Sequence, residues 1–246
     1  MEPAPSFAGV LDAIRGVDGW LSEDQALRLW TRGRDVPEGG RIVEIGSFRG
    51  RSTIVLASAA PRRVEVVAID PHAGNDRGPR EIDGFVAEAE EDNAIFHANL
   101  EAAGVHGRIR HVRAASDEAH PDVDGEVDLL YIDGAHRYRP AVADVREWGD
   151  RVRPGGVMLV HDAFSSVGVT LALARACFWS REWRYAGRSR SLVEYRREPV
   201  ERVRNLGHQL AQLPWFARNV VIKALLVLRL GRLTRFLGHQ DPTWPY

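Results

Sequence analysis

The stretch VEIGSFRGRST, residues 43–53, determines the predicted fold. It begins with the end of an apolar run, continues with a turn that contains Gly46 and Gly50, and passes into a segment of helical character, STIVLASAA at 52–60. A strand, a glycine turn and a helix in this order are typical of the first unit of a doubly wound α/β sheet, where ligands bind at the carboxyl ends of the strands. The stretch therefore predicts both a fold class and the place of a ligand site.

The rest of the chain repeats the alternation of strand and helix. Short apolar runs of strand length stand at 41–45, 64–69, 109–113, 127–132 and 156–160, and segments of helical character separate them. This alternation predicts a parallel sheet with helices on both faces. Two further runs, at 183–186 and 191–195, flank a short turn and predict an antiparallel hairpin. Upstream, Ser22 and Gln25 have capping-box spacing, which predicts that a helix begins there.

Composition narrows the class of protein. The chain has 246 residues, a formal net charge of -1 and 27% charged residues, as expected for one globular α/β domain with short extensions. The single cysteine, Cys177, excludes an intramolecular disulfide and a thiolate metal cluster. The near-zero charge argues against a nucleic-acid partner. The first ten residues lack a basic segment followed by an apolar run, so we expect no leader peptide and a cytoplasmic location.

The turn after the first strand has features of an anion site. Gly46 and Gly50 let a ligand approach the backbone closely, and Ser52 and Thr53 lie in the first turn of the following helix. The free N–H groups of such a turn and the helix dipole favour a carboxylate by roughly 0.3 to 1 kcal/mol.

The spacing of this turn distinguishes two kinds of nucleotide. It is G-x-x-x-G, and Phe48 stands where a dinucleotide fingerprint has its second glycine. Glu44 would repel a pyrophosphate, but it would accept a hydrogen bond from an ammonium group. The turn therefore favours S-adenosylmethionine, which has no pyrophosphate. An NAD(P)-dependent oxidoreductase is the first alternative, and a non-catalytic nucleotide-binding protein is the second.

Two later positions extend the predicted nucleotide site. Asp70 ends the second strand, where a carboxylate accepts hydrogen bonds from ribose hydroxyls in sheets of this type. Ser116 follows the third strand, where such folds hold the adenine.

Taken together, the motifs resemble a known family. The loop E-x-G-x-x-x-G at 44–50, Asp-Pro at 70–71, YIDGAH at 131–136 and RPGGVMLVHD at 153–162 are similar to those of class I S-adenosylmethionine-dependent methyltransferases. The similar subgroup contains macrocin and mycinamicin sugar O-methyltransferases and cephalosporin-biosynthesis proteins. The resemblance covers residues 40–165 and implies a Rossmann-like, seven-stranded, mostly parallel sheet with helices on both faces and a C-terminal antiparallel hairpin. It implies that the cofactor is lined by Glu44, Gly46, Ser47, Phe48 and Asp70. To this set we add Gly50, Ser52, Thr53, Ser116 and Asp133.

Polar side chains also follow the fourth and fifth strands. Asp133 and His136 follow one strand, and His161 and Asp162 follow the other. These strands should be neighbours, so their ends should converge on the crevice that holds the cofactor. A hydroxyl acceptor must lose a proton during methyl transfer. We expect His136, together with Asp133, to act as the catalytic base.

A divalent metal is the competing or additional arrangement at these strand ends. It would be held by Asp133, His161 and Asp162 and would lower the pKa of the acceptor hydroxyl. The family resemblance supports Mg²⁺ bound by carboxylates there. His161 stands where a second acid is common, and Mg²⁺ prefers oxygen ligands, so the identity of the metal is left open. Because IDGAH replaces the Pro-Pro motif of enzymes that methylate amino groups of nucleobases, we expect a small-molecule hydroxyl acceptor such as a sugar.

The segments outside the central domain are less specific. We divide the chain into an N-terminal helical extension at 1–37, a methyltransferase domain at 38–198 and a basic extension at 199–246. The polar stretch at 72–84 is either a lid or a solvated loop. From residue 201 onward the net charge is +5, and residues 213–237 predict a basic amphipathic helix whose charges exclude a membrane span. This extension packs on the domain, forms a homo-oligomer, or makes peripheral contact with a membrane.

Overall fold

A computed structural model describes residues 5–73 and 86–239, with the backbone alone at 86–89. Its strands form one seven-stranded sheet in the order β3-β2-β1-β4-β5-β7-β6. The strands are β1 Arg41–Ile45, β2 Glu65–Ile69, β3 Ile109–Val112, β4 Val127–Ile132, β5 Val152–Val160, β6 Trp183–Ser189 and β7 Leu192–Arg197. The first five are parallel, and β7 pairs antiparallel with both β5 and β6. The predicted Rossmann-like architecture and its closing hairpin are confirmed.

Helices cover both faces of this sheet. They are α1 Phe7–Ala13, α2 Glu23–Asp35, α3 Arg51–Ala59, α4 Val86–Ala102, α5 Tyr138–Ala143, α6 Val167–Ala176, α7 Arg202–Leu210 and α8 Leu213–Val227. Successive side chains of a strand point to opposite faces. Accordingly, Ile42 belongs to the core formed with α1, α2 and α3, and its neighbour Val43 belongs to the core that contains Trp148 and Tyr195.

Strand register brings the predicted site residues to one edge of the sheet. Ile45 at the end of β1 is level with Ile69 of β2 and with Ile132 of β4. Ile132 is in turn level with Val160 of β5. The residues that follow these strand ends are Gly46, Asp70, Asp133 and His161. They therefore meet at the carboxyl edge of the sheet.

The N-terminal helices are fixed to the sheet by polar contacts. The capping box is present, because the Ser22 N–H donates to the Gln25 side chain at 2.9 Å. Buried Glu194 on β7 accepts a hydrogen bond from the Arg28 guanidinium at 2.5 Å and forms an ion pair with Arg32 at 2.9 Å. These contacts link the start of the chain to the closing hairpin. The division of the chain at residues 37 and 198 stays a prediction.

The C-terminal stretch is not the single helix predicted for residues 213–237. Helix α8 ends at Val227, and a 3₁₀ helix spans Gly231–Leu237. Arg229 lies between them with a φ of 59°, a left-handed conformation that cannot continue an α-helix.

The charged residues of this stretch also do not exclude a membrane span by composition. Helices α7 and α8, joined by a short turn, form a stretch, Arg202–Val227, that is long and apolar enough to cross a membrane. Its most apolar 18 residues have a mean hydropathy of 1.3. One such stretch is weak evidence for a span. In addition, α8 is attached to the domain, since the buried Asn219 amide donates to the Phe164 carbonyl oxygen at 2.9 Å.

Candidate active site

A cavity of about 330 Å³ opens at the carboxyl edge of the sheet. The predicted cofactor residues that line it are Gly46, Ser47, Phe48, Ser52, Asp70, Ser116 and Asp133. Within the described chain, Glu44, Gly50 and Thr53 lie outside its wall. The structure thus gathers most of the predicted residues around one space and places three of them behind it.

Glu44 supports the turn rather than facing the cavity. It is fully buried, and its two carboxylate oxygens accept hydrogen bonds from the Ser52 and Thr53 hydroxyls, both at 2.5 Å. Burial raises the pKa of Glu44 to about 7, against the effect of these two hydrogen bonds. The prediction that this carboxylate accepts from an ammonium group of the cofactor is therefore corrected. Glu44 instead attaches the first turn of α3 to β1.

The turn itself depends on glycine at position 46. Gly46 has a φ of 86°, and a Cβ atom there would lie 2.3 Å from the carbonyl oxygen of Asp133. The end of β1 therefore passes directly against the end of β4. Phe48 also has a positive φ, of 45°, which is uncommon for an aromatic residue. Gly50, with a φ of 88°, is the N-cap of α3. It belongs to the turn but does not line the cavity.

Asp70 is fixed at the cavity wall by two backbone donors. Its Oδ2 accepts from the Phe48 N–H at 2.7 Å, and its Oδ1 accepts from the His72 N–H at 2.8 Å. Each carboxylate oxygen keeps a lone pair for a further donor, such as a ribose hydroxyl. Nearby, the buried Ser47 hydroxyl lines the cavity and has no hydrogen-bond partner among the described residues. An unsatisfied buried hydroxyl of this kind fits a bound polar ligand.

Ser116 lines the cavity together with an acid that the sequence did not reveal. Its hydroxyl donates to Asp144 Oδ1 at 2.5 Å, and burial raises the pKa of Asp144 to about 6. Asp144 opens a π-helical turn, Asp144–Trp148, directly after α5. Such turns frequently occur at functional sites. The sequence predicts only an ordinary helix here, because it carries no recognised signal for a π turn.

The N-terminal extension supplies another wall of the cavity. Residues 18–21 line it, and the Trp20 ring lies 5.8 Å from the Phe48 ring between centroids. This loop is held against the turn at 46–50 that follows β1, which we call the cofactor turn. The Arg49 guanidinium donates to Asp18 at 2.5 Å, and the Arg51 guanidinium donates to the Val17 carbonyl oxygen at 2.5 Å. Sequence reasoning missed this contribution because the loop and the turn are far apart in the chain.

The residues at the ends of β4 and β5 converge as predicted. His136 Nε2 lies 2.8 Å from Asp162 Oδ2 and 4.0 Å from Asp133 Oδ1. Asp133 also accepts a hydrogen bond from the Tyr131 hydroxyl at 3.1 Å. Asp133 is the link between the two halves of the site, because it lines the cavity and faces His136.

His161 lies behind these residues. It is buried, with Nδ1 at 3.3 Å from Asp133 and 3.7 Å from Asp162. Burial lowers the pKa of His161, but the two carboxylates outweigh burial and raise it to about 10. The buried imidazole thus faces two carboxylates. Its predicted place among the metal ligands stays a prediction.

The side chains that could hold a metal form a different set from the predicted one. One ligand atom each from Asp133, His136 and Asp162 lies within 4.8 Å of the others. Two carboxylates and one imidazole suit a divalent cation that accepts nitrogen as well as oxygen ligands. This set contains His136 where the sequence predicted His161. The predicted lid at 72–84 falls almost entirely outside the described residues.

Comparison with known proteins agrees with this geometry. Residues 43–163 match the family described as "Methyltransferase domain". The chain is 32% identical over 127 residues to an uncharacterized protein, y4gI, from Sinorhizobium fredii. That match covers 50% of the chain but 13% of the relative, so the relative is mostly made of other sequence.

Solved structures share the fold. One similar structure is the O-methyltransferase NovP, with a TM-score of 0.57, 18% identity, and coverage of 72% of this chain and 81% of NovP. Another is the O-methyltransferase TomG from Streptomyces achromogenes, which is involved in tomaymycin synthesis and was solved with S-adenosylmethionine. It has a TM-score of 0.51 and 20% identity, and the match covers 77% of this chain and 86% of TomG. The resemblance to class I S-adenosylmethionine-dependent methyltransferases is therefore confirmed, and the sugar O-methyltransferase subgroup stays a prediction.

Proposed function

Because the chain belongs to the class I S-adenosylmethionine-dependent methyltransferases, we propose that it methylates a hydroxyl oxygen of a sugar or another small metabolite. The observation that carries this proposal is the position of Asp133, which lines the nucleotide cavity and also faces the His136 and Asp162 pair. Donor and acceptor sites would thus share one wall. NovP and TomG are both O-methyltransferases, which supports oxygen as the acceptor atom.

The cavity suits the donor at several points. Asp70 would accept from the ribose hydroxyls through the lone pairs that its backbone donors leave open. The free Ser47 hydroxyl and the first turn of α3 would bind the carboxylate of the methionine part. Ser116 and Asp144 offer a hydroxyl and a carboxyl group for the adenine.

His136 is suited to remove the acceptor proton. His136 Nε2 lies 2.8 Å from Asp162 Oδ2, and if Nε2 carries the ring proton, the other ring nitrogen is left to accept a proton. The acceptor oxygen then attacks the methyl carbon as the carbon–sulfur bond breaks, and the products are the methyl ether and S-adenosylhomocysteine. A base in this position contributes about 100- to 10,000-fold to the rate. Asp162 would orient the imidazole and stabilise its protonated form.

A divalent cation such as Mg²⁺ is a second way to activate the same hydroxyl. Asp133, His136 and Asp162 would hold it, and it would supply a positive charge that lowers the pKa of an acceptor hydroxyl. The two arrangements compete for His136, since a ring nitrogen bound to the cation would have no proton to donate to Asp162 and no lone pair with which to accept one. Transfer that survives a chelator would favour His136 as base, and loss of transfer that added Mg²⁺ or Mn²⁺ restores would favour the cation.

Two measurements test the proposal in sequence. Calorimetry should show binding of S-adenosylmethionine and S-adenosylhomocysteine and no binding of NAD⁺ or NADP⁺. Labelled methyl transfer to a panel of hydroxylated small molecules should then identify an acceptor. Binding of the dinucleotides alone would favour the oxidoreductase alternative, and donor binding without transfer to any nucleophile would favour a non-catalytic protein.

A further inference from the structure

The outward face of α8 is apolar although it is exposed. Its exposed members recur every three or four residues, which places them on one side of the helix. They are Leu213, Ala217, Val220, Val221, Ala224 and Val227. Val227 is 83% exposed and Val221 is 47% exposed. A helix on the surface of a soluble domain normally packs such an apolar face against the core. The exposed apolar face of α8 therefore indicates a contact with a partner outside the domain.

The inward face of α8 is fixed to the domain and is partly polar. Asn219 is fully buried and donates to the Phe164 carbonyl oxygen, and Ile222 is also fully buried. The Trp215 ring lies 4.4 Å from the Arg188 guanidinium carbon. These contacts hold the helix in the orientation that presents its apolar side to the surroundings.

The 3₁₀ helix after α8 adds a basic row beside an apolar one. Residues three apart eclipse one another in a 3₁₀ helix. Leu233 and Phe236 therefore align, and so do Arg232 and Arg235; all four side chains are exposed, with Phe236 at 74%. The Arg218 guanidinium donates to the Leu237 carbonyl oxygen at 2.6 Å, which holds this segment against α8. The apolar row and the arginines are therefore presented next to the α8 face.

The charge of the whole segment points to one kind of partner. Seven Arg and Lys residues lie between Arg202 and His239, and the sequence between these positions has no Asp or Glu. If two copies of the chain associated through this face, their positively charged side chains would face and repel each other. An anionic bilayer instead offers headgroups to the arginines and acyl chains to the apolar side chains.

We propose that the outer surface of α8 and the 3₁₀ helix at 231–237 binds peripherally to a membrane that contains anionic lipids. Binding places the apolar face at the boundary of headgroups and acyl chains, with the arginines among the headgroups. Since the face stays anchored through Asn219, the domain keeps a fixed orientation on the bilayer. This inference concerns an interaction surface and does not depend on methyl transfer.

The test is co-sedimentation of the purified full chain with vesicles of phosphatidylcholine, with or without a quarter of phosphatidylglycerol. The unaltered protein should bind the anionic vesicles at least about tenfold more tightly than the neutral ones. The double variant Val227→Asp with Phe236→Asp should lose at least about tenfold in binding to anionic vesicles. The triple variant Arg229→Gln, Arg232→Gln and Arg235→Gln should lose the preference for the anionic lipid.

The matched control is Leu27→Asp, which alters an apolar side chain of α2 that is 47% exposed and should leave vesicle binding unchanged. Unchanged affinity for S-adenosylhomocysteine shows that a variant is folded. If the double variant is not folded, the single variant Val227→Asp is used in its place. Failure of the unaltered protein to bind anionic vesicles would overturn the proposal. Two other results would also overturn it. One is a dimer that Val227→Asp dissociates, because a second copy would then cover the face. The other is a protein that resists alkaline extraction from membranes, because the helix would then span the bilayer.

Discussion

The Phe48 N–H lies 2.7 Å from Asp70 Oδ2, so the cofactor turn after β1 is tied directly to the end of β2. The same carboxylate accepts from the His72 N–H through its other oxygen. One side chain therefore sets the relative position of two cavity walls. It does so while it faces the space where the ribose of the donor would lie.

This double role predicts the effect of Asp70→Ala. The variant removes both backbone hydrogen bonds and the ribose acceptor, and hydrogen bonds to charged groups contribute about 1.5 to 3 kcal/mol each. The dissociation constant for S-adenosylhomocysteine should rise by about ten- to a hundredfold or more, measured by calorimetry. Asp122→Asn, at an exposed position, is the control and should leave it unchanged. If Asp70→Ala bound S-adenosylhomocysteine as tightly as the unaltered protein, Asp70 would not belong to the cofactor site.

Gly46→Ala separates a steric clash from backbone strain. The added Cβ would meet the Asp133 carbonyl oxygen at 2.3 Å, and both atoms belong to rigid strand ends. Gly39 has a similar positive φ of 80°, but a Cβ there would meet nothing within 4 Å. Left-handed strain alone costs about 1 to 2 kcal/mol. Urea unfolding should show that Gly46→Ala lowers the free energy of unfolding by more than Gly39→Ala does. Equal losses would mean that the strand ends move apart easily.

His136→Asn tests the assignment of the base. The side chain lies outside the cavity wall, so the affinity for S-adenosylhomocysteine should stay within about twofold, whereas turnover should fall about 100- to 10,000-fold. Asp162→Asn should cause a smaller loss, because the imidazole remains and only its orienting partner changes. The control is His106→Gln, which alters a 3₁₀-helix residue outside the site and should leave turnover unchanged. Full turnover in His136→Asn would assign proton removal to another group.

Much of the architecture could be predicted because each parallel strand forms a short apolar run. The run at 127–132 coincides with β4, and register then places Asp133 beside Gly46. The position of Glu44 could also have been predicted. It alternates with Val43 and shares the strand face of Ile42, which packs into the core with α3. The charge of Glu44 suggests a contact with the ligand, but the alternation of the strand decides where the side chain lies.

Other parts of the site had no local signal. The wall at 18–21 depends on ion pairing between Asp18 and Arg49, which are 31 residues apart. The candidate metal set contains His136 where the sequence predicted His161, and only the distances between the ligand atoms in the folded chain show this. Residue spacing alone does not distinguish these two histidines.

The buried Glu44 predicts an unusual dependence of stability on pH. Its pKa is about 7 in the folded protein, whereas the ordinary pKa of a solvated glutamate is 4.5, so the folded state binds more protons than the unfolded state between these values. The stability contributed by this group is therefore highest below pH 4.5 and falls as the pH rises to about 7. Glu44→Gln removes the titration. Its free energy of unfolding relative to the unaltered protein should increase across this window, by up to about 3 kcal/mol.

Glu65→Gln is a control of opposite sign. Burial raises the pKa of Glu65, but hydrogen bonds from Arg41 and Arg110 outweigh burial and lower it. The Glu65 contribution is present above the pKa of a solvated glutamate and is lost as the pH falls, so this variant should be less stable than the unaltered protein at neutral pH. Urea midpoints at a series of pH values would check both variants. A difference between Glu44→Gln and the unaltered protein that does not vary between pH 4.5 and 7 would show that Glu44 is ionised throughout, with Ser52 and Thr53 as sufficient partners for the buried charge.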